Sequence, residues 1–176
     1  MIKKIIFVIA ILFTSNACQQ AKVETNEDAY FSLKGFIDEQ LKNMQGKQVS
    51  YRKVVKVNDQ FEIKNIDNSN LAEDLKGFLS YDINKNAWKN SFAKDSDESN
   101  QTVNYTALED YIPVKKCAII YEDNAIKKIR LFVRVENNLF TSVKIIDLFP
   151  SNTYSYYHSQ QVTGLKKQVL FIKTIR

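Results

Sequence analysis

The sequence predicts an α+β domain. Amphipathic N-terminal helices are expected on one face of a roughly five-stranded antiparallel meander sheet, with an N-terminal β-hairpin beside it. Two observations carry this expectation. Apolar residues in the first half recur at spacings of three and four, then give way to alternation at period two. The alternating segments are joined by short connections rich in turn-forming residues, which suit antiparallel neighbours.

The first helix is expected over residues 29–44, where Phe31, Leu33, Phe36, Ile37, Leu41 and Met44 form an apolar stripe. Asp28 stands where an N-cap would, and Gly46 where a helix stops. Residues 48–57 and 60–66 read as a hairpin turning at Asn58-Asp59. A second helix is expected over 71–79, and a short helical piece over 85–92. Trp88 and Phe92 would stack there at i and i+4, with Trp88 mostly buried against the helical layer. The acidic, Ser/Asn-rich stretch 94–104 reads as a flexible loop. Residues 111–121, 125–136, 139–148, 153–162 and 168–175 read as the five strands of the meander.

The N-terminus carries an address. Lys3 and Lys4 precede nine unbroken apolar residues, Ile5 to Phe13. A membrane-spanning helix needs about 20 apolar residues, so this run suits a signal peptide instead. Thr14-Ser15-Asn16-Ala17-Cys18 follows, with a small residue before a cysteine, and resembles the lipobox of bacterial lipoproteins. Residues 1–17 are therefore expected to be a lipoprotein signal peptide, Cys18 the lipidated residue, 18–28 a flexible tether, and 29–176 one domain. Acyl chains on Cys18 would hold the chain to a membrane, because each buried methylene contributes about 0.8 kcal/mol.

Charge is unevenly spread. Residues 92–111 hold one Lys against five acids, whereas 112–176 hold eleven Lys and Arg against four acids. A basic half of this kind suits an anionic lipid surface, an acidic glycan or an acidic protein. Export argues against nucleic acid as a partner.

In residues 125–136, Lys128, Arg130 and Arg134 alternate with Ile129, Leu131, Val133 and Val135, so the cations share one face of a strand, with Phe132 among them. Pairing in chain order is expected to bring Lys144 near them. Tyr154, Tyr156 and His158, with Tyr157, crowd another strand, and are expected to turn part of the wet face into a groove. These residues form the candidate binding face.

Catalytic and metal motifs are lacking. His158 is the single histidine, short of the three or four ligands a zinc site takes. No Gly-x-Ser-x-Gly elbow accompanies it. Asp95-Ser96-Asp97-Glu98-Ser99 lacks the central Gly and terminal Glu of a calcium loop. Asp82 with Glu109 or Asp110 would make an acid–base carboxylate pair only if the fold brought them together. Cys117, in a strand, reads as a small buried hydrophobe. No cofactor, no metal and no enzymatic activity are expected.

Three segments carry a family likeness: Asn65-Ile66-Asp67, Leu71-Ala72-Glu73-Asp74-Leu75, and Asp82-Ile83-Asn84-Lys85-Asn86-Ala87-Trp88-Lys89-Asn90-Ser91-Phe92. With these the chain resembles a family of uncharacterised outer-membrane lipoproteins of Bacteroidota, which share an Asp-Ile-Asn-Lys-x-Ala-Trp segment. Asn86 stands where that family often has Pro. The resemblance implies an outer-membrane location and no particular activity. Surface-bound lipoproteins of that phylum tend to carry acids directly after the lipidated cysteine. Gln19-Gln20-Ala21-Lys22 stands here, which implies the periplasmic side.

Two functional classes follow. One is a non-enzymatic binding or interaction module. The other is a periplasmic carrier that holds lipid or another apolar ligand between helices and sheet. A cavity beneath Phe36 and Leu41 would mark the carrier, and a solid core with a basic, aromatic outer face the module.

Overall fold

A computed structural model describes residues 29–176. The signal peptide, Cys18, the tether and the Asp28 cap lie outside the described residues. Helix α1 spans Leu33–Met44 and begins where Ser32 Oγ accepts from the Gly35 N–H at 3.1 Å. It ends at Gly46, whose φ of 71° lies in the left-handed region that glycine adopts without strain. Strands β1 (Tyr51–Val57) and β2 (Gln60–Ile66) form the expected hairpin about Asn58-Asp59. Asp67 caps α2 (Asn68–Gly77) by accepting from the Asn70 N–H, and a 3-10 turn over Phe78–Tyr81 follows.

The rest is strand. β3 spans Phe92–Asp97, β4 Thr102–Ala107, β5 Val114–Glu122, β6 Ala125–Glu136, β7 Phe140–Phe149, β8 Thr153–Val162 and β9 Gln168–Ile175. All nine strands lie in one antiparallel sheet of order β2-β1-β9-β8-β7-β6-β5-β4-β3.

This overturns the expected five-stranded sheet under a helical layer. The five strands from β5 to β9 lie near their expected positions, but four more join them. The hairpin does not stand beside the sheet; β1 pairs with β9, as in Val54 with Lys173. The stretch read as a flexible loop is the β3–β4 hairpin, with Asp95 opposite Asn104. Its residues lack apolar alternation because β3 is an edge strand, held by backbone bonds on one side only. The helical piece expected over 85–92 is a three-residue 3-10 turn, Asn86–Trp88, cut short by Asn90 at φ 64°. Trp88 is accordingly half-buried, edge-on to Phe92 with ring centroids 6.4 Å apart.

Two short helices cover part of one sheet face. Leu33, Phe36 and Ile37 of α1, with Leu71 and Leu75 of α2, pack in one cluster with Cys117, Leu131, Ile146 and Tyr154. Each fully buried aliphatic side chain contributes about 1.5–3 kcal/mol. Among the described residues no helix is long and apolar enough to cross a membrane.

The two faces of the sheet

Directly paired residues of antiparallel strands point to the same face. Register therefore divides the candidate binding residues into two sets. Leu131 pairs with Ile146 and Ile146 with Tyr156, so Tyr156 looks toward the helices. Lys144 pairs with Val133 and with His158, so it too lies on the helix side, away from Arg130 and Arg134. Tyr154 is buried there. Lys128, Arg130 and Arg134 occupy the outer face. The fold thus does not bring the tyrosines, His158 and Lys144 together with the three β6 cations.

On the helix side the polar atoms of Tyr154, Lys144 and His158 are each engaged. Tyr154 donates its hydroxyl to Asp74 Oδ2 at 2.7 Å, and Lys53 Nζ reaches the same oxygen at 2.6 Å. Burial, then the bond to the Asp74 carboxylate, pushes the Tyr154 phenol far above its ordinary value. Phe78 meets Tyr154 edge-on at 5.0 Å. Lys144 Nζ donates to Tyr81 Oη at 3.0 Å. His158 Nε2 lies 2.9 Å from Ser142 Oγ. Burial lowers the His158 pKa below its usual 6.5, and the Lys144 charge lowers it further. The imidazole is thus a neutral partner for the serine at pH 7. Among the described residues no carboxylate bonds to it, so the pair lacks the third group that orients a catalytic histidine.

The outer face carries no covering element among the described residues. Arg130 and Asp147 form a two-pronged bond there, and Asp147 also accepts weakly from Ser155 Oγ at 3.5 Å. Arg134 pairs with Glu136 at 2.6 Å. Register then lines up a row that alternation within one strand could not reveal. Phe132 pairs with Ile145, Ile145 with Tyr157, and Tyr157 with Phe171. All four are half-exposed. Lys116 continues the row on β5 and Lys56 on β1, with Lys173 one step along β9. None of these three lysines makes an ion pair among the described residues. An apolar, aromatic strip some four strands wide, about 15 Å across at 4.8 Å per strand, therefore runs between cations.

The other candidates separate. Asp97 Oδ1 accepts from Ser99 Oγ and the Asn100 N–H, closing the β3–β4 turn, and these bonds hold its carboxyl down to about 2. No group of three or more His, Cys, Asp or Glu among the described residues is placed to hold a metal ion. Cys117 is buried, and burial pushes its thiol up to about 12. No family model, curated protein or solved structure matches the chain.

Proposed function

We propose that the chain is an exported lipoprotein held by acyl chains on Cys18, and that its domain is a non-enzymatic binding module for an anionic partner. In this reading it belongs to the outer membrane and faces the periplasm. The observation that carries the binding role is the outer-face row from Phe132 to Phe171, bounded by Lys116 and Lys56. Flat aromatic surface between unpaired ammonium groups is the chemistry an acidic polysaccharide engages, since sugar rings stack on aromatics while carboxylates meet lysines. Lys128, Arg130 and Arg134 border the same face, although Arg130 and Arg134 already have carboxylate partners. Buried Leu33, Phe36, Ile37 and Met44 fill the ground between α1 and the sheet, which favours the module over an apolar-ligand carrier.

The test replaces Lys56, Lys116 and Lys173 together by Gln. All three are exposed, so the urea midpoint should hardly move. Affinity for an acidic polysaccharide should fall, and its salt dependence should flatten. A wild-type protein with no salt-sensitive affinity for acidic polysaccharide would overturn the reading. Preference for anionic vesicles over the polysaccharide would replace the glycan with lipid.

A further inference from the structure

Because every strand pair is antiparallel, successive turns alternate between two ends of the sheet. The β1–β2, β4–β5, β6–β7 and β8–β9 turns share one end. Asn58 at the first of them donates its N–H to Val169 O at the start of β9, which confirms the alignment across the β1–β9 joint. The large apolar side chains most open to water gather at this rim. Phe61 is 72% exposed, Leu108 60%, Tyr111 69%, Leu139 71% and Leu165 65%. They lie at or beside four separate turns strung along the rim, so no local feature of the chain explains why they share one end of the sheet. Turns at the opposite end, at 98–101, 122–124 and 150–152, are polar apart from Pro150.

Two further observations say what covers this rim. The described chain begins beside it: the Phe92 N–H, at the first residue of β3, donates to Tyr30 Oη at 3.1 Å. The far end of α1 lies away from it, with Asn43 and Met44 beside Pro150, Ser151 and Asn152. The described residues therefore begin close to the apolar rim. Half-buried Trp88 stands in the turn just before β3, with Lys85 Nζ 4.4 Å from its ring centroid. Trp and Tyr beside lysines are the residues that settle at the level of lipid headgroups. Lys166 and Lys167 follow Leu165 on its exposed turn.

We propose that this rim seats the domain on the lipid surface to which the chain is anchored. Leu108, Tyr111, Leu139 and Leu165 enter the headgroup region, and the sheet stands upright on its turns. A tether of about ten residues spans up to about 35 Å and by itself permits any orientation; the rim selects one. The outer face is then left open sideways to a partner. The rim also holds Asp59, Glu109 and Asp110, so its attraction for lipid is chiefly apolar and only weakly sensitive to salt, unlike the outer face.

The proposal rests on the anchoring reading only for the tether, and the two can be tested apart. Trp88 is the single tryptophan, so its fluorescence reports on the rim alone. The full chain is reconstituted in phosphatidylethanolamine–phosphatidylglycerol vesicles whose acyl chains are brominated near the headgroups. Emission should shift to the blue and be quenched. Leu139→Asp with Leu165→Asp, neither in contact with Trp88, should remove most of the quenching while the protein stays anchored. Mass analysis reads acylation of Cys18 separately, and its absence counts against the anchor. The Cys18→Ser chain, produced from residue 18 onward so that the apolar run Ile5 to Phe13 is absent, is sedimented with the same vesicles at high lipid concentration, and should still bind in a manner the double substitution abolishes. Unquenched Trp88 in the anchored protein, or quenching unchanged by the double substitution, would overturn the proposal.

Discussion

Arg130 and Asp147 meet across β6 and β7 through two parallel hydrogen bonds, Nε to Oδ1 at 2.6 Å and Nη2 to Oδ2 at 2.8 Å. The aspartate side chain is 11% exposed and the arginine 49%, so the pair is half shielded from solvent. Asp147→Asn should cost about 1–2 kcal/mol in urea unfolding, a charge-assisted bond discounted for the exposed partner. Arg130→Gln should change affinity for an acidic polysaccharide less than Lys116→Gln does, because the guanidinium is already engaged.

Tyr154, Asp74 and Lys53 tie β8, α2 and β1 together. Tyr154→Phe removes one charge-assisted bond and should cost about 1–2 kcal/mol. Asp74→Ala should cost more, because it strands both a buried hydroxyl and an ammonium. Thermal unfolding of the two variants gives the order, and equal losses would count against a shared carboxylate.

His158 gives stability a pH dependence near neutrality. Its pKa is depressed in the folded state by burial and by Lys144, so the unfolded chain binds the proton more readily. The contribution is fully present above about pH 6.5 and is lost as pH falls through that value toward the folded pKa. Urea midpoints should therefore drop between pH 8 and pH 5, and His158→Gln should flatten the drop. Asp97 acts in a lower window. Its depressed pKa adds stability above about pH 4 that is lost as pH falls through about 2. The two windows can be read separately.

Cys117 should resist alkylation by iodoacetamide at pH 8 in the folded protein and react fully in denaturant. The thiol is buried and held protonated at that pH, whereas the thiolate is the reactive form. Rapid labelling of the native protein would show that β5 opens.

Strands that alternate apolar and polar residues were legible in the sequence. Ile129, Leu131 and Val133 announce β6, whereas α2 begins at Asn68, three residues before the expected Leu71, under a cap from Asp67 that its apolar stripe does not reveal. β3 was not legible, because Phe-Ala-Lys-Asp-Ser-Asp at a sheet edge buries almost nothing beyond Phe92. The helix read around Trp88 came from an i, i+4 pair of aromatics that also meet across a tight turn. With Trp88 half-buried, Trp88→Ala should cost nearer 1–2 kcal/mol than the 3–5 kcal/mol of a core aromatic. The candidate face was partly legible. Alternation placed Lys128, Arg130 and Arg134 together, but only register could set Lys144 on the opposite side and align Phe132 with Tyr157 and Phe171.

The position of β9 governs when the domain can form. It lies between β8 and β1, so the earliest strand, already paired with β2, finds its second neighbour only in the latest, Val54 opposite Lys173. Until residues 168–175 are free, the N-terminal hairpin and the meander are separate fragments with bare edges. Closing such a long loop is slow and comes after most of the chain is available. A polypeptide wired in this way keeps its hairpin and its meander apart until its last strand is available, an order of assembly that suits the export proposed above.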